Sequence, residues 1–139
     1  EMIGLNGRLD SIQAAVLLEK LSIFDEELEM RNLVDAEYRK FLINAQYHPT
    51  NYNSAHALFS ITTNSSKHKV DLIESFKKNN IPSAIYYKYP IHMMKAFKYL
   101  GYKDNDFPVS LVLSKTIVSL PMHPYLDLND IEKIVSIFE

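Results

Sequence analysis

The chain has 139 residues, 47% hydrophobic and 23% charged, with a formal net charge of -2, which excludes a disordered segment and allows one domain, residues 1–139, with a real core. No basic run points to a nucleic-acid partner, and the longest apolar run, Ala14 to Leu18, is far too short for a membrane span. With no cysteine there is no disulfide or thiol chemistry, and with no signal-like segment in view the expected compartment is cytoplasmic.

The chain opens with Glu1-Met2, so it reads as a piece of something longer. From Asp10 to about Asn44 the pattern predicts helix, with Leu17, Leu21, Phe24, Leu28, Val34, Tyr38, Phe41 and Ala45 as one buried face. An unbroken helix would reach about 50 Å, so a break is expected at Ser22 to Asp25. The apolar patch Ala14 to Leu18 is too broad for a one-sided helix and predicts contact on two sides, with a missing part or a partner subunit. Pro49 to Ser54 reads as a loop, Ala55 to Thr62 as a strand, and Lys69 to Asn79 as a helix with Val70, Ile73 and Phe76 inward. Ile81 to Tyr87 reads as a second strand, with Pro82 at its entry or an edge. Met93 to Leu100 reads as a short helix ending at Gly101, followed by a helix from Val109 to about Thr116 and a short strand at Ile117 to Leu120. Asp127 to Asp130 opens a final helix with Ile131, Ile134, Val135 and Phe138 inward. The expected fold class is α+β: a long N-terminal helix, bent or broken, and a small, mainly antiparallel sheet covered by helices.

Few residues carry chemistry. Asn6 and Arg8 sit in a polar turn that feeds the first helix. Such a turn can hold an anionic group such as a phosphate, or Asn6 can cap the helix while Arg8 is a solvated charge. His92 follows the cluster Tyr86, Tyr87 and Tyr89. Either its ring is satisfied by local backbone or exposed, or it donates to a ligand; the tyrosines are packing residues, or one ring stacks on a base or sugar. His48, His56, His68 and His123 lack metal-site spacing, so no metal is expected. Ser114 and Ser119 lack a nucleophile elbow.

Three blocks in order resemble one family. They are Gly4-Leu5-Asn6-Gly7-Arg8-Leu9-Asp10 with Gln13-Ala14-Ala15, then Ile81-Pro82 through Tyr87 with Pro90-Ile91-His92, then Phe107-Pro108 with Ser119-Leu120-Pro121-Met122-His123-Pro124. The pattern resembles the DegT/DnrJ/StrS sugar aminotransferases, which use pyridoxal phosphate to aminate nucleotide-linked keto sugars. The resemblance implies the small C-terminal domain of a fold-type-I pyridoxal-phosphate enzyme. In that family the cofactor lysine and the aspartate on the ring nitrogen lie upstream of this stretch. The resemblance therefore implies no catalytic residue in this chain, a large cofactor-lysine domain absent from it, and a fragment inactive alone that binds no cofactor by itself. Asn6 matches the asparagine that reaches the cofactor phosphate of the other subunit of a homodimer; Arg8, His92 and Tyr87 match substrate-side positions. The implied substrates are a nucleotide sugar and an amino donor, glutamate, in polysaccharide or amino-sugar synthesis. Leu5 and Gly7 around Asn6, Tyr86 where a histidine is usual, and Lys88-Tyr89 depart from the family where substrate binds. Two other readings stand beside this one: a noncatalytic dimerisation module, and a sugar dehydratase of the same family with histidine in place of the cofactor lysine.

Overall fold

The computed structural model describes residues 7–42 and 54–138. Five helices and a small sheet follow one another: α1 (Ser11–Ser22), α2 (Phe24–Phe41), β1 (Phe59–Thr62), α3 (Ser66–Lys78), α4 (Pro108–Thr116), β2 (Ile117–Leu120) and α5 (Leu128–Val135). Short 3-10 turns occupy Ile91–Met93, Lys95–Leu100, Asp104–Asp106 and Ser136–Phe138. The architecture is the expected α+β one.

The long helix breaks where expected, and local chemistry explains it. The Ser22 hydroxyl donates to the Glu19 carbonyl at 2.7 Å, which competes with continuation of the helix. Asp25, Glu26 and Glu27 then place three acids in the first turn of α2, where they complement the positive end of a helix dipole. At its start α1 carries a capping box: Asp10 Oδ1 accepts from the Gln13 N–H at 2.8 Å, and the Asp10 N–H donates back to Gln13 Oε1 at 3.3 Å. Ser65 and Asp127 cap α3 and α5 by a single bond each, accepting from the N–H of His68 and of Asp130. α3 ends in a Schellman turn, with the Ile81 N–H on the Phe76 carbonyl and the Asn80 N–H on Lys77. Asn80 supplies the left-handed residue that this turn needs, at φ 56°.

β1 and β2 pair antiparallel, Phe59 opposite Leu120 and Ile61 opposite Val118. These four side chains share one face and are almost fully buried. α2 covers them with Val34 and Tyr38, α3 with Leu72 and Phe76, and α5 with Ile131 and Ile134. Tyr38 is central: its ring stacks on Phe59 with centroids 4.6 Å apart, and its hydroxyl donates to the Pro121 carbonyl at 2.9 Å. Burial pushes its phenol well above the ordinary tyrosine value. Ser60 and Ser119 lie on the other face, their hydroxyls 2.8 Å apart.

Polar ties fasten the segments that flank the sheet. Asp35 takes a two-pronged bond from Arg39 one turn later, at 2.5 and 2.7 Å, and its Oδ1 lies 3.2 Å from His56 Nδ1. Arg31 donates from one nitrogen to the carbonyls of His56 and Met122. Those contacts hold His56 in the left-handed region, at φ 44°. Glu27 accepts from Lys20 and from the Tyr125 hydroxyl, joining α1, α2 and the segment after β2.

Several expectations are corrected. Ile81 to Tyr87 is not a strand: only Ala84 pairs, exchanging both backbone bonds with Ser119, because Pro82 has no N–H to give and the chain turns away after Ile85. β1 begins at Phe59 rather than Ala55, and the helix expected over Met93 to Leu100 is two 3-10 turns. In α3 the inward residues are Lys69, Leu72 and Phe76, whereas Val70 is exposed. Of the expected buried stripe, Leu17 and Leu21 face outward, because no described element of this chain buries α1, and Phe24 and Phe41, at the two ends of α2, are exposed as well. Ala45 and most of the Pro49 to Ser54 loop lie outside the described residues.

Two outcomes follow from these contacts. Tyr38→Phe keeps the ring and loses the bond to Pro121, so chemical denaturation reads a loss of about 1 kcal/mol with the fold intact. Hydrogen bonds from Lys20, then from Tyr125, hold the Glu27 carboxyl below its ordinary 4.5. Its contribution is therefore present above that value and is lost as pH falls through the lowered one. Glu27→Gln lowers the melting temperature by a constant amount between about pH 6 and 8, and the gap narrows as the scans move to pH values below the ordinary 4.5.

Candidate functional site

β2 alternates. Val118 and Leu120 enter the core, and Ile117 turns to the other face, where it forms the floor of a cleft of about 340 Å³. One wall is the segment after the Ala84 bridge, with Tyr86, Tyr87, Tyr89 and His92. The opposite wall is α4, which presents Phe107, Ser110, Leu113 and Ser114. α4 starts there because Pro108 occupies its first turn, where a missing N–H costs nothing. Ser110 and Ser114 share one helix face at a spacing of four.

His92 is the fixed point of the first wall. It is buried, Nε2 lies 3.2 Å from the Asp104 carbonyl, and the ring tilts against Phe107 with centroids 4.9 Å apart. Phe107 in turn meets the edge of Tyr102 at 5.1 Å. This is the arrangement of a histidine satisfied by nearby backbone, yet one edge of it still lines the cleft. Tyr87 stands out from the wall at 69% exposure, its ring edge-on to Tyr86, and Lys88 lies over the ring of Tyr89. An exposed ring beside hydroxyls and a histidine suits a ligand with a flat aromatic part and a polar part.

Of the four sequence-expected site residues, the structure brings two together, His92 and Tyr87. Arg8 lies on the exposed segment before α1 and does not line this cleft. Asn6 lies outside the described residues. The α4 wall was missed in the sequence, since Phe107, Ser110 and Ser114 are distant from the tyrosine cluster; the Phe107-Pro108 helix start and the Ser110/Ser114 spacing were the available signals. No group of three His, Asp or Glu among the described residues is set to hold a metal, and no described helix is long and apolar enough to cross a membrane.

The lining does not by itself fit pyridoxal phosphate. It has hydroxyls and one histidine but no lysine or arginine for a dianionic phosphate. The buried lysine nearby, Lys69, already donates to the Ser114 carbonyl at 2.8 Å.

A family model described as the DegT/DnrJ/EryC1/StrS aminotransferase family matches residues 1–139. The chain is 34% identical over 136 residues to a UDP-2-acetamido-2-deoxy-3-oxo-D-glucuronate aminotransferase of Pseudomonas aeruginosa, covering 95% of this chain and 36% of that protein. It is 30% identical over 133 residues to a dTDP-3-amino-3,6-dideoxy-alpha-D-galactopyranose transaminase of Aneurinibacillus thermoaerophilus, covering 95% and 36%. A crystal structure of a DegT DnrJ EryC1 StrS aminotransferase from Brucella abortus superposes with a TM-score of 0.82 at 40% identity, covering 97% of this chain and 36% of that one. The chain thus spans about a third of the length of the relatives it matches.

His92→Ala removes the bond to Asp104 and the Phe107 contact. Calorimetry should read a loss of about 1–3 kcal/mol, against no change for a ring that merely touches solvent.

Proposed function

This chain belongs to the DegT/DnrJ/EryC1/StrS aminotransferase family, and we propose that it is the carboxyl-terminal part of an enzyme that moves an amino group, from glutamate, onto a keto carbon of a nucleotide-linked sugar. The relatives named above act on UDP- and dTDP-linked sugars, and the same substrate class is assigned here, in polysaccharide or amino-sugar synthesis in the cytoplasm. Pyridoxal phosphate, when bound to the complete enzyme, supplies the electron sink for the transfer. Its lysine and most of its contacts belong to the larger lobe, and this chain alone is inactive.

The observation that carries the reading is the cleft between the tyrosine segment and α4. Tyr87 offers a ring face to the nucleotide, and His92 keeps Nδ1 for a polar contact while Nε2 stays on Asp104. Arg8 supplies a guanidinium to the substrate side, and Asn6 an amide to the cofactor phosphate of the partner subunit in a homodimer. α1 is the docking element. Ile12, Val16, Leu17, Leu18 and Leu21 are all more than half exposed, a patch that a free-standing domain seldom leaves open. The larger lobe covers it.

The full-length polypeptide, given pyridoxal phosphate, glutamate and a UDP- or dTDP-linked keto sugar, releases 2-oxoglutarate in step with the aminated sugar. The 139-residue chain alone releases none, and turnover by the chain alone refutes the proposal. Light scattering of the chain alone shows association that Leu17→Glu with Leu21→Glu abolishes; a monomeric wild-type chain would mean that α1 needs no cover.

A further inference from the structure

α3 turns a lysine inward where the hydrophobic pattern put Val70. Lys69 is only 6% exposed and Val70 is 54% exposed. The Lys69 ammonium has one hydrogen-bond acceptor among the described residues, the carbonyl of Ser114 at 2.8 Å. No carboxylate of the described residues pairs with it. Burial lowers its pKa from the ordinary lysine value, and the like charge of Lys88 lowers it further. Holding a cation out of water without a counter-ion is unfavourable, and an apolar side chain would fill the space without that cost. The ammonium therefore has work that packing alone does not need.

That work is at the end of α4. The last carbonyls of a helix have no partner within it and favour a cation. Here Thr63 satisfies the Thr116 carbonyl through its N–H at 2.9 Å and its hydroxyl at 3.0 Å, and Lys69 satisfies Ser114. Ser114 is also part of the cleft wall, and its hydroxyl is turned back onto Leu111 at 2.8 Å.

We propose that Lys69 is a positioning residue for the cleft: its grip on the Ser114 carbonyl fixes the α4 wall against the wall of Tyr87 and His92, and so sets the width offered to the nucleotide. This rests on the reading of the cleft as the nucleotide-sugar wall. Lys69 touches no ligand itself; it acts through α4.

The test is calorimetric titration of UDP and of dTDP into the full-length protein with its cofactor bound. Lys69→Gln, too short to reach Ser114, weakens the tighter of the two nucleotides about five- to tenfold, and Lys69→Arg returns it to within about twofold. Lys67→Gln, which removes an exposed charge from the same helix but no bond to α4, changes it less than about twofold. The proposal is overturned by unchanged affinity in Lys69→Gln, by Lys69→Arg as weak as Lys69→Gln, or by an equal loss in Lys67→Gln, which would make the effect one of general charge. Tyr87→Ala separates the two levels. If it binds normally, or if wild type binds neither nucleotide, the cleft reading falls and this proposal with it. If it weakens binding while Lys69→Gln does not, only the positioning role falls. Should Lys69→Gln not fold, hydrogen exchange of the wild type decides: slower exchange over residues 112–116 with nucleotide bound supports the role, and no change there overturns it.

Discussion

The ladder between Phe59–Thr62 and Ile117–Leu120 is the constraint from which the rest of the molecule hangs. Two short strands cannot stand alone in water. They persist because the Phe59/Leu120 and Ile61/Val118 pairs are closed over by α2, α3 and α5, with Tyr38 both stacked on the sheet and bonded to the backbone that leaves it. The alternation of side chains along β2 then divides the molecule. What faces inward becomes core, and Ile117, facing the other way, becomes the floor of the cleft. Fold and site are thus two faces of one strand.

The parts of this plan that the sequence announces are those with local causes. Ser22 followed by three acids marks the helix break, Asp10 and Gln13 a capping box, and Asn79-Asn80 a helix end. Hydrophobic spacing identifies α5 and half of α2. What stays hidden depends on what lies across the chain. Leu17 and Leu21 carry the same spacing as Val34 and Tyr38, yet one pair is exposed and the other buried, since spacing records an apolar face without recording whether anything covers it. The Ile81 to Tyr87 segment is rich in strand-forming residues, but a strand needs a partner along its whole length, and only Ala84 finds one.

The site divides in the same way. Tyr87 and His92 are close in sequence, so their cluster is visible without a fold. Ser110 and Ser114 reach the same cleft only because β2 follows α4 directly and sets its end beside the Ala84 bridge. Lys69 is the extreme case. A lysine in the first turns of a helix looks like a solvated charge until folding brings the open carbonyl end of a second helix against its ammonium. Burial of a charge was decided by a distant carbonyl, a demand that no window along the chain contains.

Arg31 reaches from the middle of α2 to the carbonyls of His56 and Met122, and so touches the approach to the first strand and the exit from the second. Both contacts are to main chain, so the guanidinium is indifferent to which side chains those positions carry and strict about where the peptide bonds pass. A substitution at Met122 therefore leaves this grip intact, whereas His56 answers to two demands at once, its carbonyl to Arg31 and its ring to Asp35.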